Sequence, residues 1–258
     1  MKMKRLAMTL AAASLSGFGA AQAQDYQMEG SAAYSSIKRD VGASDSVLGL
    51  GFTYNFEQVK TAGVPLAEAA YLGRNSNLAL AYATVDKADV DTMGAQGEFY
   101  LDNLYLAALY ATTDVAGTSV DTFGGSIGFR LGEGTQLALG YTTTDAGAGG
   151  SVDAISLSAK HVAKLSGGNF INLEGDYSTL DDAVDTKTFS VAGDFYFDPT
   201  FSLGASFTSS DDSASSSSSD FGVSGRKFFT PALSGELSYG TAGDGTADVI
   251  TVGFAARF

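Results

Sequence analysis

Leu48-Gly49-Leu50-Gly51-Phe52-Thr53-Tyr54-Asn55-Phe56 is the stretch that decides the fold. In an extended chain successive side chains point to opposite faces. Leu48, Leu50, Phe52, Tyr54 and Phe56 therefore share one apolar face, and Gly49, Gly51, Thr53 and Asn55 share the other. No helical period separates these two sets. The pattern returns with Phe123, Gly125, Ile127, Phe129 and Leu131 opposite Gly124, Ser126, Gly128 and Arg130. It returns again with Phe189, Val191, Gly193, Phe195 and Phe197 opposite Ser190, Ala192, Asp194 and Tyr196, and with Phe201, Leu203, Ala205 and Phe207 opposite Ser202, Gly204 and Ser206.

Working outward, the same reading predicts strands near 25–37, 45–57, 77–87, 92–101, 104–113, 120–131, 135–145, 151–162, 169–179, 186–197, 201–210, 220–229, 233–242 and 247–258. Twelve strands is the alternative to about 14, because 25–37 and 104–113 alternate less cleanly. Leu104, Tyr105, Leu106 and Leu109 put apolar groups on both faces of the latter. Tight connectors are expected at Asp102-Asn103, Gly132-Glu133-Gly134, Asp198-Pro199-Thr200 and Thr230-Pro231-Ala232, all turn-forming residues. They alternate with more acidic, often longer connectors at Asp86 to Asp91, Asp114 to Asp121, Asp145 to Asp153, Asp181 to Asp185 and Asp211 to Asp220. Short periplasmic turns in phase with outer loops, and an even strand count, fit an all-β fold: a transmembrane antiparallel up-and-down β-barrel with both termini on the periplasmic side.

Composition agrees. Charged residues are 17% of the 258-residue chain, below the quarter usual for a soluble domain. After the N-terminal region no stretch reaches the roughly 20 continuous apolar residues of a spanning helix. Lys2, Lys4 and Arg5, the small and apolar run Leu6 to Ala20, and Ala21-Gln22-Ala23 read as an export leader cleaved after Ala23, with the barrel domain at 24–258. Losing three of the 15 basic residues leaves 12 against 29 acidic, a formal charge of -17. That balance argues against nucleic-acid binding, which needs a basic footprint. The chain has no Cys, which excludes disulfides and thiolate metal sites.

Residues 58–76 break the alternation. Val64-Pro65-Leu66-Ala67-Glu68-Ala69-Ala70-Tyr71-Leu72 opens with Pro at a helix start and continues with helix formers. It reads first as a short surface helix, ahead of the alternative of an inserted piece that narrows the lumen or caps its periplasmic mouth. The run Ser213 to Ser219, interrupted by Ala214, reads as an outer loop tip.

The chain ends in Val249-Ile250-Thr251-Val252-Gly253-Phe254-Ala255-Ala256-Arg257-Phe258. Ile250, Val252, Phe254, Ala256 and Phe258 share a face, and the terminal Phe resembles the signal read by the outer-membrane insertion machinery, with Phe254 and Phe258 its aromatic members. With the stretch from Tyr54-Asn55-Phe56 through Pro65 to Ser76, this ending resembles the small putative porin family of Gram-negative outer membranes. The resemblance implies outer-membrane location, lipid and insertion machinery as partners, and passive diffusion of small hydrophilic solutes. The constriction loop and trimer contacts of the longer 16-stranded porins do not carry over.

With the apolar face toward lipid, the inner wall is rich in Gly, Ala, Ser and Thr, and a barrel of this strand number is wide enough to hold water. Alternation assigns Glu29, Glu98, Glu174, Asp176, Asp194 and Glu236 to the lumen, with Arg130, Lys160, Arg226 and Arg257 against them near the periplasmic ends of descending strands. Either the acidic outer loops focus a potential that favours cations, or they are solvated charges that screening makes inert beyond about 8–10 Å. Asp86, Asp89 and Asp91, or Asp181, Asp182 and Asp185, do not follow the EF-hand spacing and read as solvated loops. Nucleophilic catalysis needs a base beside the nucleophile, and the one His, His161, falls at the periplasmic end of a strand. The expectation is therefore a pore with no catalyst, metal or cofactor. A structural or adhesive barrel is the alternative, and a hydrolase of the outer rim a more distant one. Gly125, Gly193 and Ala205 on the lipid face fit either protomer packing or plain small strand residues, so oligomeric state stays open.

Overall fold

A computed structural model describes residues 25–145, 147, 150–181, 186–212 and 217–258. The expected leader, Asp182, Asp185 and residues 213–216 of the serine run lie outside the described residues.

The strands are β1 (Tyr26–Arg39), β2 (Asp45–Val59), β3 (Asn77–Val85), β4 (Val90–Leu101), β5 (Leu104–Val115), β6 (Thr118–Leu131) and β7 (Thr135–Asp145). They continue as β8 (Ser151–Lys164), β9 (Phe170–Asp181), β10 (Thr186–Asp198), β11 (Phe201–Asp212), β12 (Ser218–Thr230), β13 (Leu233–Ala242) and β14 (Ala247–Arg257). Each pairs antiparallel with the next, and β14 returns to β1 with Ala32 opposite Phe254, so the sheet closes into a 14-strand barrel. Closure removes the free edges that a spanning sheet could not leave unpaired in hydrocarbon.

Alternation sets which face meets lipid. Phe129, Leu157 and Leu237 are 59%, 51% and 58% exposed on the outside, while their neighbours Arg130, Ser158 and Glu236 turn inward. The mixed face of β5 has a local reason. Inward Tyr105 packs its ring 5.3 Å from that of Tyr100 and donates its hydroxyl to Glu98 at 2.8 Å. An apolar body with a polar tip thus stands where alternation alone would place a small polar residue.

The rim bearing Asp25 and Phe258 is termed the inner rim, which corresponds to the expected periplasmic side. The outer-rim connectors are acidic but short; Ala116-Gly117 turns β5 into β6 with φ of 52° and 81°. The longest connector, residues 60–76, belongs to the inner rim.

That connector corrects the surface-helix expectation. A short 3-10 turn (Leu66–Glu68) and the one-turn helix α1 (Ala69–Leu72) lie inside the barrel mouth, with Leu66 and Ala69 fully buried. Leu66 packs on Phe228 of β12, Ala69 on Tyr26 and Val59, and Ala67, Tyr71 and Leu72 on Val162, Phe170 and Tyr196. The segment therefore reaches from β2 across to β8–β12. The physical reason is visible in its residues. Glu68 is the only charge between Val64 and Leu72, so the piece has no polar face to give to water, the mark of a buried helix rather than a surface one.

Bulges shape the seat. A register shift between Tyr26 and Met28 turns Tyr26 inward against parity, and further shifts follow Tyr196 and Phe228. Bulges re-aim side chains at barrel rims, and these three stand beside the aromatic residues that contact the inserted segment. At the other end Ile37, Val47, Ala83 and Ala247 form a buried inward cluster that fills one side of the outer mouth.

Candidate functional site

The lumen is the candidate site: a cavity of about 1030 Å³ lined from β1 round to β14 and floored by Ala67, Glu68, Ala70 and Tyr71. It has two tiers, set by what each strand turns inward.

The outer tier is hydroxyl-lined. Facing strands pair Ser35 with Thr251 at 2.8 Å, Thr92 with Thr113 at 3.1 Å, Thr122 with Thr144 at 3.0 Å, and Ser190 with Thr208 at 3.1 Å. Glycines keep it wide. A Cβ on Gly140 would stand 2.5 Å from Ser156 Oγ, and one on Gly222 2.7 Å from Ser206 Oγ.

The tier next to the inserted segment carries charge. Glu29, Glu98, Glu174, Asp194, Lys160, Arg226 and Glu236 line the cavity there. Asp176 points inward from β9 between Ser158 and Ser190. Arg130 and Arg257 are buried, at 2% and 5% exposure, near the inner-rim ends of β6 and β14.

Three of the four cations named from the sequence face carboxylates. Arg257 pairs with Glu29 and lies 4.1 Å over the Tyr26 ring. Arg226 meets Glu236 Oε2 through Nε at 2.8 Å and Nη2 at 2.6 Å. Lys160 Nζ holds Glu174 Oε1 at 2.7 Å and Glu68 Oε2 at 2.9 Å. The fourth, Arg130, stacks 3.9 Å over the Tyr71 ring and donates through Nη2 to the Glu133 carbonyl at 2.6 Å. Its Nε and Nη1 have no hydrogen-bond partner among the described residues. Among the described residues Glu98 accepts from neutral donors: Asn77 at 3.0 Å, Tyr105 at 2.8 Å and Gln96 at 3.3 Å.

The inserted segment is tied into this tier. Tyr196 donates to Glu68 Oε1 at 2.7 Å, and the Tyr71 hydroxyl donates to the carbonyls of Gly134 at 3.1 Å and Lys160 at 3.2 Å. Burial pushes the Tyr71 phenol above its ordinary range, against the lowering by Arg130 and Lys160, so it stays a neutral donor. Arg74 closes the far end on the carbonyls of Asp102 at 3.0 Å and Gly132 at 3.1 Å.

Glu68, Tyr71, Tyr196, Tyr26 and Asn172 belong to the site, and sequence reasoning missed them. The signal for the first two was the absence of a polar face around them. For Tyr26 no local signal exists, because parity puts it outside.

His161 is exposed on the barrel exterior, with Nδ1 2.8 Å from Thr135 Oγ1. Gly124-Gly125-Ser126-Ile127-Gly128 has the spacing of a nucleophile elbow, but it runs straight through the middle of β6 rather than turning from strand to helix. Among the described residues no group of three or more His, Asp or Glu side chains is arranged to hold a metal ion. Phe254 and Phe258 sit on the outer face, 54% and 69% exposed.

Comparison with solved structures meets this geometry. The outer membrane protein Omp33 of Acinetobacter baumannii superposes with a TM-score of 0.75 at 25% identity, over 92% of this chain and 100% of that one. This chain has the fold of an outer-membrane β-barrel. OmpF of Salmonella typhi (TM-score 0.50, 11% identity, 90% of this chain and 97% of that one) shares the fold. So does a porin of Rhodopseudomonas blastica in a triple-mutant form (0.50, 13%, 90% and 99%). No family model matches the sequence, and no curated protein matches it either.

Proposed function

We propose that this porin-like barrel is a passive diffusion pore for small hydrophilic solutes, with a preference for cations, exported through the leader at residues 1–23. The observation that carries the reading is the lumen: a cavity of about 1030 Å³ inside a closed barrel, walled by hydroxyls, glycines and small apolar residues and bearing more carboxylates than cations. Side chains that leave space rather than fill it mark a water-holding interior. Of the inward carboxylates, Glu98 accepts among the described residues from neutral groups, whereas the cations Lys160, Arg226 and Arg257 are compensated by Glu68, Glu174, Glu236 and Glu29. Asp176 and Asp194 add two inward carboxylates against the one remaining cation of the four, Arg130, so the wall carries an excess of negative charge, and wall charge of one sign selects the opposite ion.

A second reading, a barrel that does not conduct, is favoured by one observation: residues 64–72 packed across the inner mouth. Planar-bilayer recording of the refolded protein under a potassium chloride gradient separates the two. The pore reading expects discrete, small openings whose reversal potential leans toward potassium. A correctly inserted barrel that stays silent supports the second reading, and chloride-leaning openings remove the cation preference.

A further inference from the structure

The inserted segment does not cover the inner mouth evenly. Its apolar side packs on Val162 of β8, Phe170 of β9, Tyr196 of β10 and Phe228 of β12. These four are buried at the inner ends of their strands, and the cavity stops short of them, at Lys160, Asn172, Asp194 and Arg226. On the opposite arc the cavity reaches further toward the inner rim. Asn77 at the start of β3 and Tyr100, one residue before the end of β4, both border it. Tyr26 also borders it from β1, but Ala69 packs on that side chain.

Glu98 stands on this less covered arc, two residues from Tyr100 on the same inward face of β4. Among the described residues three neutral donors fix its carboxylate: Asn77 on Oε2, and Tyr105 and Gln96 on Oε1. An ionised carboxylate has about four acceptor positions, so these donors hold it in place and still leave room for a passing cation. The other half of the wall uses its charge differently, with Lys160, Arg226 and Arg257 facing Glu174, Glu236 and Glu29. Arg130 lies 5.8 Å from the Tyr100 ring centroid, but it is buried against Tyr71 and does not border the cavity.

We propose that cations cross the inner mouth along the β3–β5 arc and that Glu98 is the residue that sets ion preference; the proposal rests on the pore reading above and adds a route and a determinant to it. A fixed charge acts most strongly where the segment forces an ion to pass close to it. Carboxylates around the wider outer mouth act through more water and are screened by salt.

The test is reversal-potential recording of the refolded protein under a potassium chloride gradient, with Glu98→Gln, Glu98→Asp and Asp176→Asn. A unit charge about 6 Å from an ion in water changes its occupancy about threefold. Glu98→Gln should therefore lower the potassium-to-chloride permeability ratio by about threefold, and Glu98→Asp, which keeps the charge, should retain most of it. Asp176→Asn, on β9 in the covered half, should lower the ratio less than Glu98→Gln. The route is read separately by labelling a single introduced thiol with a bulky cationic reagent, since the natural chain has no Cys. Label at Ala79→Cys, opposite Gln96 in the β3–β4 register, should reduce conductance more than label at Ala192→Cys, opposite Glu174 on β10.

An unchanged ratio in Glu98→Gln overturns the assignment of Glu98. Equal falls in Glu98→Gln and Asp176→Asn also overturn it, because a diffuse field would then explain the preference, and so does a fall in Glu98→Asp as large as in Glu98→Gln. Equal reduction by label at Ala79→Cys and Ala192→Cys overturns the route. Each variant is checked for heat-modifiable gel migration, the sign of a folded barrel. An unaltered protein that inserts and stays silent removes the pore reading and this proposal with it, whereas conduction that keeps its cation preference in Glu98→Gln removes this proposal alone.

Discussion

Replacing Tyr71 by Ala should release residues 60–76 from the inner mouth and raise the conductance of the barrel. The magnitude follows from what the ring and hydroxyl touch. The hydroxyl donates to two backbone carbonyls, at 3.1 and 3.2 Å, together a hydrogen-bonding contribution of about 1 kcal/mol. The ring receives Arg130 at 3.9 Å and Lys160 at 4.7 Å, each cation–π contact contributing about 0.5–1 kcal/mol. Apolar burial of the half-buried ring adds about 1 kcal/mol more. A total near 3 kcal/mol shifts the ratio of seated to released segment by about two orders of magnitude. Tyr71→Phe keeps the ring and loses only the hydroxyl, a shift of about fivefold. Single-channel recording reads both as open-state occupancy, and trypsin cleavage at Lys60 and Arg74 reads the same release without a membrane potential. The reasoning fails if Tyr71→Ala matches the unaltered protein in both assays, or if the Phe and Ala variants coincide.

Glu68→Gln leaves Lys160 with Glu174 alone and weakens a buried charge pair, so the segment should loosen by about 1–3 kcal/mol; tryptic cleavage rates at Arg74 check this. Leu157→Arg, at mid-strand on the lipid face, should destabilise the barrel by about 2–4 kcal/mol in vesicles. Ser158→Arg, its inward neighbour, should instead move the reversal potential toward chloride, and denaturant titration with bilayer recording separates the two effects. Phe258→Ala should slow assembly in cells while changing the stability of the refolded barrel by less than about 1 kcal/mol. Its backbone bonds to Gln27 and Met28 survive the change, so equal loss of stability and assembly would assign Phe258 to packing rather than recognition.

Much of the architecture was legible from residue order. A strand's side chains alternate with a period of two, so any run with lipid on one face and water on the other writes its own boundaries and faces into the sequence. All fourteen strands therefore fall close to their expected places, including β1 and β5, whose mixed faces left twelve as the alternative. The inward side of Glu98, Arg130 and Glu236 follows from the same parity.

Partnership was not legible. That Arg257 meets Glu29, 228 positions away, depends on β14 closing onto β1. That Lys160 is shared between Glu174 and Glu68 depends on a connector crossing the mouth. Tyr26 needed a bulge to turn it inward, and a one-residue slip reverses every later side chain without leaving a local mark. The sequence by itself determined the wall: a closed sheet, its strands, and which residues see lipid. Only the tertiary structure decided what stands inside that wall, because a barrel's interior is filled by whichever segment cannot bury its apolar surface elsewhere, and that choice is made among parts of the chain far apart in sequence.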